Sequence, residues 1–192
     1  MKTAMRVSGG QDRAQVFTRP GGLVAVVADG AGASAAAAEL VVEAVKKAGA
    51  AADWAALLAE VDARLVRDGA GAQTTAVIVA ISGGRISGAS VGDSGAWVID
   101  GDDVTDLTAG QQRKPLIGSG HARPVLFALE SAAGRLLIAS DGLLKYAAQR
   151  FVAEAASGPT LDGSADELLA LPRLRSGQLP DDVAVILIAL AG

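Results

Sequence analysis

Hydrophobic positions along the chain come in short runs whose period changes several times. Ala14–Phe17 and Leu23–Ala28 are apolar stretches separated by "TRPGG", the pattern of two strands joined by a turn. Apolar residues then recur at helical spacing over Ala33–Lys47 and Asp53–Arg67, with Asp53 placed to cap the second helix. Strand-like runs return at Thr75–Ile81, Arg85–Val91 and Ala96–Ile99, punctuated by "SGG", "GDSG" and "DGDD", and predict an antiparallel meander. From Leu107 to Pro124 no period is sustained, which marks a long loop of the kind that carries function. Val125–Leu129 and Arg135–Ala139 predict another hairpin, followed by shorter helices around Leu143–Phe151 and Ala165–Leu171 and a final strand at Val183–Leu190. Antiparallel strands in succession with helices in pairs indicate an α+β class. With no internal repeat and no linker, residues 1–192 are expected to form a single domain.

Composition changes this picture in three ways. The chain is 51% hydrophobic but only 3% aromatic, so its core must be built from Ala, Val, Leu and Ile. A formal net charge of -4, with no basic run interleaved with aromatics, excludes a nucleic-acid footprint. The absence of Cys removes disulfides and thiolate metal sites, leaving carboxylates and one His as ligands, and oxygen ligands favour Mg²⁺ or Mn²⁺. The opening "MKTAMRVSGGQDR" lacks the apolar core of a signal peptide, and no apolar run reaches membrane-spanning length. A soluble cytoplasmic protein with no membrane partner is expected.

The acidic residues carry the chemistry. Apolar strands end in an Asp beside Gly or a second acid: "VVADG" at Asp29, "SVGDSG" at Asp93, "LIASDG" at Asp141, and "LPDDV" with Asp181 and Asp182 before the last strand. Each alone is an ordinary turn residue or helix cap. Brought to one edge of a sandwich, they make an oxygen-rich pocket whose like charges call for divalent cations. Residues 30–35 also fit a G-x-G-x-x-A dinucleotide loop. There, however, Asp29 would lie against a pyrophosphate and repel it, and a second helix follows where that motif needs a strand.

The succession "GGQDRAQV", "VVADGAG", "TTAVIVAI…ISGASVGDSGAWV", "RLLIASDGLLKYA" and "DDVAVILI" resembles the metal-dependent protein phosphatases of the protein phosphatase 2C type, in a minimal bacterial style. The motifs stand in that family's order from residue 6 to residue 190. The resemblance implies a four-layer α-β-β-α sandwich, two central antiparallel sheets flanked by helix pairs. It implies a serine/threonine phosphoprotein phosphatase that hydrolyses phosphomonoesters by attack of a metal-bridging water. Two divalent cations, Mn²⁺ or Mg²⁺, would be its cofactors, and its partners a phosphorylated protein and a cognate Ser/Thr kinase. Asp29 matches the carboxylate that bridges both metals, Gly30 the residue whose carbonyl binds one, and Asp141 and Asp181 the other direct ligands. Asp12 matches the acid of the first motif, and Asp93 and Asp182 are possible additional ligands. Lys145 stands where relatives with a third metal carry an Asp, and it either neutralises Asp93 and Asp141 or points into solvent.

The chain departs from the family in places. Gly10 replaces an Asn before Gln11-Asp12, and no His follows in "DGAGAS". Arg6, the candidate for gripping the substrate phosphate, lies one residue further from Asp12 than the family spacing. These departures keep open an alternative, a catalytically weak or inactive phosphatase-like regulatory or binding module. His121, the single His, reads as a solvated loop residue, Glu39 and Glu43 as a solvated helix face, and Trp54, Trp97 and Tyr146 as packing.

Overall fold

A strand that alternates Val and Ala with no polar face needs cover on both sides, and the chain provides it by stacking layers. The computed structural model of the chain describes every residue except 33–34, 50–51, 70 and 191–192. In chain order its first half contains β1 (Thr3–Ser8), β2 (Arg13–Arg19), β3 (Gly22–Ala28), β4 (Gly30–Ala31), α1 (Ala36–Lys47), α2 (Trp54–Asp68), β5 (Gln73–Thr74), β6 (Ala76–Ser82) and β7 (Arg85–Val91). The second half contains β8 (Gly95–Asp100), β9 (Asp103–Asp106), β10 (Val125–Leu129), β11 (Arg135–Ala139), α3 (Asp141–Leu144), α4 (Gln149–Ala156), α5 (Leu161–Ala170) and β12 (Val183–Ala189).

Two five-stranded antiparallel sheets, ordered β1-β12-β11-β8-β9 and β10-β7-β6-β3-β2, face each other. Their inner faces meet through Leu23, Ala25, Val27, Val77, Val79, Leu136, Ile138, Ala184 and Ile186. The opposite face of the second sheet, through Val24, Val26 and Ile78, packs on Val41, Val45, Leu58 and Val61 of α1 and α2. The outer face of the first sheet, through Leu137, Val185 and Leu187, packs on Leu143, Val152 and Leu168 of α3 to α5. The expected α+β class and four-layer sandwich are therefore present, and small side chains let the layers close with few aromatics. Trp54 sits in the α1–α2 layer and Trp97 packs partly buried beside α3, whereas Tyr146 is exposed.

Most elements follow local chemistry. Asp53 caps α2 by accepting from the Ala56 N–H at 3.0 Å, and Gly69 ends it at φ +67. The β2–β3 hairpin pairs Arg13 with Ala28 through Arg19 with Gly22. Helix α1 runs from Ala36, and the expected start at 33–34 lies outside the described residues.

Four expectations need correction. Val125–Leu129 and Arg135–Ala139 do not form a hairpin: β10 pairs with β7 in one sheet and β11 with β8 and β12 in the other. The meander likewise breaks after β7, where the chain crosses between sheets into β8. Adjacent apolar runs look alike whether they share a sheet or face one another across a sandwich, so periodicity alone cannot separate the two. The helix expected at Leu143–Phe151 is two helices, α3 and α4, and β1 and β9 were not anticipated because they are short and largely exposed.

Ile186 is fully buried between the sheets, beside Ile138 in register. Ile186→Ala should cost about 2–5 kcal/mol in urea unfolding. Leu126→Ala, at a position 66% exposed on the edge strand, should change stability by less than about 0.5 kcal/mol. Equal losses would contradict the layer assignment.

Candidate metal centre

Strand register brings the acids together. Arg13 pairs with Ala28, so Asp12 and Asp29 are the next opposed positions beyond the β2–β3 ladder. Val27 pairs with Val77 and Ala76 with Val91, which puts the β7–β8 turn, with Asp93, at this same end. In the facing sheet Ala139 pairs with Gly95 and Val185, placing Asp141 beside the start of β12, where Asp181 and Asp182 lie. The short link from Ser8, paired with Val183, to Arg13 joins the two sheets here.

Backbone contacts then hold the acids in place. The Asp29 N–H donates to Thr75 Oγ1 at 3.2 Å, and its carbonyl accepts from the Thr75 N–H at 2.9 Å and Thr74 Oγ1 at 2.8 Å. Thr75 Oγ1 and Ser94 Oγ lie 2.6 Å apart, tying the Asp29 strand end to the turn that carries Asp93. Gly30 is buried and paired with Thr74 in the short β4–β5 ladder. The Asp182 carboxylate accepts from the N–H groups of Gly10 and Gln11 at 2.8 and 2.7 Å, fixing the turn that presents Asp12. A Cβ on Gly9, at φ +101, would fall 1.8 Å from Asp182 Oδ1, so this turn requires glycine. Ser140 Oγ accepts from the Ala184 N–H at 2.9 Å and secures the chain just before Asp141.

The cost of this arrangement is electrostatic. Asp12 is 1% exposed, and both of its carboxylate oxygens are buried without a hydrogen-bond partner. Burial pushes the Asp29 carboxyl up to about 9, and the charges of Asp12 and Asp141 push the same way. Burial likewise raises Asp12 to about 6, partly offset by interactions with Ser140 and Asp29. Asp141 is raised by burial first and by the charge of Asp93 next. Asp181, itself exposed, adds its charge to Asp141, and Asp182 adds its own to Asp12.

The expected site residues thus separate into groups. Asp12, Asp29 and Asp141 converge, with Gly30 and Asp181 beside them. Asp182 spends its carboxylate on the first-motif turn. Asp93 Oδ2 pairs with Arg113 Nε at 2.6 Å. Arg6 is not brought to the cluster: its β1 position faces the helix layer, where Nε meets Asp166 at 2.6 Å and Nη2 meets Asp162 at 3.2 Å. Lys145 Nζ lies 4.0 Å from Asp141 Oδ2 and remains half-exposed, so it is near the cluster and open to solvent at once. His121 is exposed in its loop. Of the helix-face acids, Glu39 takes an ion pair from Arg13 at 2.6 Å.

Sequence reasoning missed the supports. Thr75 stands in the sequence as the start of an expected strand, and Thr74 only as the first letter of a motif. Asp62 is buried and accepts from the N–H groups of Gly118, Gly120 and Ala122 at 2.6, 3.0 and 3.2 Å, anchoring the long loop onto α2. An acid among Leu58, Val61 and Leu65 on the buried face of a helix was the available signal. A groove of about 680 Å³ between α1 and α2 is lined by residues such as Leu40, Glu43 and Arg67 and contains none of the clustered Asp residues.

Among the described residues no three His, Cys, Asp or Glu side chains are grouped tightly enough to hold a metal ion as they stand. The donors nevertheless fit divalent cations: the set is all oxygen, and the two buried Asp12 oxygens have no partner. Asp29 keeps a proton near neutrality that a cation would displace.

The fold is that of the bacterial protein phosphatase 2C-type enzymes. Neither protein-family models nor curated proteins match the chain in sequence, and the likeness lies in structure. The chain is similar to the Mycobacterium tuberculosis serine/threonine phosphatase PstP/Ppp, with 23% identity over 100% of this chain and 99% of that one at a TM-score of 0.83. It is also similar to the catalytic domain of the phosphatase PstP in complex with two manganese ions, with 24% identity over 100% and 98% at 0.81. The Staphylococcus aureus serine/threonine phosphatase Stp1 gives 20% identity over 100% and 95% at 0.85.

Raised carboxyl pKa values set the sign of the metal-free pH response. Below the ordinary carboxylate range these groups are protonated in both states and contribute nothing. Above it the unfolded chain ionises while the native cluster still holds its protons, so stability drains as pH rises. In chelator, the melting temperature should fall between about pH 5 and about pH 9, and saturating Mn²⁺ should abolish or reverse that slope. A melting temperature indifferent to pH and to Mn²⁺ would contradict the cluster.

Proposed function

We propose that the chain is a divalent-cation-dependent serine/threonine phosphoprotein phosphatase. The observation that carries the reading is the convergence of Asp12, Asp29 and Asp141, with two buried and unpartnered carboxylate oxygens on Asp12. Similarity of fold to serine/threonine phosphatases, one of them in complex with two manganese ions, supports it.

Asp29 would be the ligand held in common by two cations, a role supported by its interaction with both Asp12 and Asp141. Asp12, Asp141, Asp181 and the Gly30 carbonyl complete the proposed ligand set, for Mn²⁺ or Mg²⁺. When bound, the cations would supply Lewis acidity and a lowered water pKa, so that no protein nucleophile is needed. The chain's own contribution is rigidity. Thr74 and Thr75 fix the Asp29 backbone, Asp182 fixes the turn that presents Asp12, and Ser140 secures the approach to Asp141.

The cluster lies at an end of the sandwich among loops, which suits a phosphorylated side chain on a protein substrate. A Ser/Thr kinase that supplies that phosphoprotein is the corresponding partner. Among the described residues no helix is long and apolar enough to cross a membrane, and a cytoplasmic setting is part of the proposal.

Hydrolysis of p-nitrophenyl phosphate and of a phosphothreonine peptide should require Mn²⁺ or Mg²⁺ and stop with chelator. Asp29→Asn should lower kcat by about a hundredfold or more. The same variant should raise the metal-free melting temperature near pH 8, because an amide is buried neutral without taking up the proton that a buried Asp29 needs. Asp100→Asn, exposed where β8 turns into β9, should leave both unchanged. Wild-type activity that survives chelation, or an Asp29→Asn variant within tenfold of wild type, would overturn the proposal, and a wild type inactive with every metal would favour the binding-module alternative.

A further inference from the structure

Phosphate recognition needs a cation that can offer several N–H groups to the non-bridging oxygens, and arginine does this best. Two guanidinium groups that could serve are already committed. Arg6 is held by Asp166, Asp162 and the Met5 carbonyl on the helix side of its sheet. Arg13, next to Asp12, spends Nη1 on the carbonyls of Gly10 and Asp12 and Nη2 on Glu39.

Arg113 differs. Only its Nε is engaged, at 2.6 Å from Asp93 Oδ2, and among the described residues Nη1 and Nη2 have no hydrogen-bond partner. The residue borders a pocket of about 240 Å³ formed with Asp93, Asp141, Leu144 and Lys145, immediately beside the carboxylate cluster. Lys145 adds a second cation 4.0 Å from Asp141.

Its loop is long but pinned on both sides of Arg113. Upstream, Ser90 Oγ donates to Gln111 Oε1 at 3.3 Å and the Gln111 N–H donates to the Thr108 carbonyl at 2.9 Å. Downstream, Ile117 is fully buried and bridged to Thr74, and Asp62 holds the N–H groups of Gly118, Gly120 and Ala122. The Asp93 side is equally fixed, by the Ser94–Thr75 contact and by Gly92, where a Cβ would meet Thr75 at 2.7 Å. The ion pair itself is 70% exposed on the arginine side, so it orients the guanidinium without binding it tightly.

We propose that Arg113, parked on Asp93 through Nε and backed by Lys145, is the group that grips the substrate phosphoryl oxygens through its two free η nitrogens. This rests on the phosphatase reading above. It assigns phosphate binding to the long loop rather than to β1. The residue contacts substrate, and Asp93 and Asp62 are positioning residues for it.

Isothermal titration calorimetry with inorganic phosphate on the Mn²⁺-loaded protein tests this separately from turnover. Arg113→Gln should weaken phosphate binding by about ten- to a hundredfold, with KM for a phosphothreonine peptide rising in parallel. Arg113→Lys should recover part of the loss, because the charge returns without the planar fork. Mn²⁺ affinity and melting temperature should stay at wild-type values in both variants. Phosphate binding unchanged in Arg113→Gln, a parallel loss of Mn²⁺, or no phosphate binding by wild type would each overturn the inference. If phosphate binding depends on Arg113 while wild type hydrolyses no phosphoester, the phosphatase reading falls and the anion site stands.

Discussion

Everything at the functional end of this molecule depends on the crowding of Asp29 against Asp12 and Asp141 in a partly buried place. A carboxylate removed from water and set beside two others is costly to ionise, and its pKa rises accordingly. The protein tolerates this because the main chain at each acid is held by neighbouring groups, independently of the acids' own side chains. Asp29 leaves the end of β3 with both of its main-chain polar groups satisfied by Thr74 and Thr75. Asp12 is delivered by a turn clamped by Asp182, and Asp141 by a strand end tied to β12 through Ser140. The sandwich holds the three together, and a divalent cation would take the place of the protons that otherwise keep them neutral.

The layered architecture explains why so few aromatic residues suffice. Each central strand is covered on two faces, so Ala and Val can fill space that a two-layer domain would need larger side chains to occupy. Close approach also dictates glycine where layers or turns meet. A Cβ on Gly142 would sit 1.8 Å from the Asp182 carbonyl, so the residue after Asp141 must be small for α3 to start against β12. Gly9 and Gly142 thus serve to let protein approach protein around the acids.

Much of this was legible in the chain. The runs Leu23–Ala28 and Leu136–Ala139 were visible as strands because continuous apolar character marks doubly covered sheet. The acids at strand ends were visible because Asp beside Gly after an apolar run is a distinctive pattern. Pairing was not legible: β10 and β11 are neighbours in sequence with strand periods, yet they belong to different sheets. The site's supports were hidden for a related reason. Asp62 acts across 56 residues on Gly118, and Asp182 acts across 172 on Gly10, so neither partnership leaves a local pattern. The Arg6 ion pairs with Asp162 and Asp166 were not legible, because spacing from Asp12 says nothing about which side of β1 faces the helices.

The central claim is that buried carboxyl groups, kept protonated because ionising them together is costly, become a cation site by exchanging protons for metal. Calorimetric titration of Mn²⁺ into the protein near pH 7, in buffers of different ionisation enthalpy, measures that exchange directly. Saturable binding should release about one proton, contributed mainly by Asp29, and the release should disappear in Asp29→Asn. Binding with no dependence on buffer, or no saturable binding at millimolar Mn²⁺, would contradict the account.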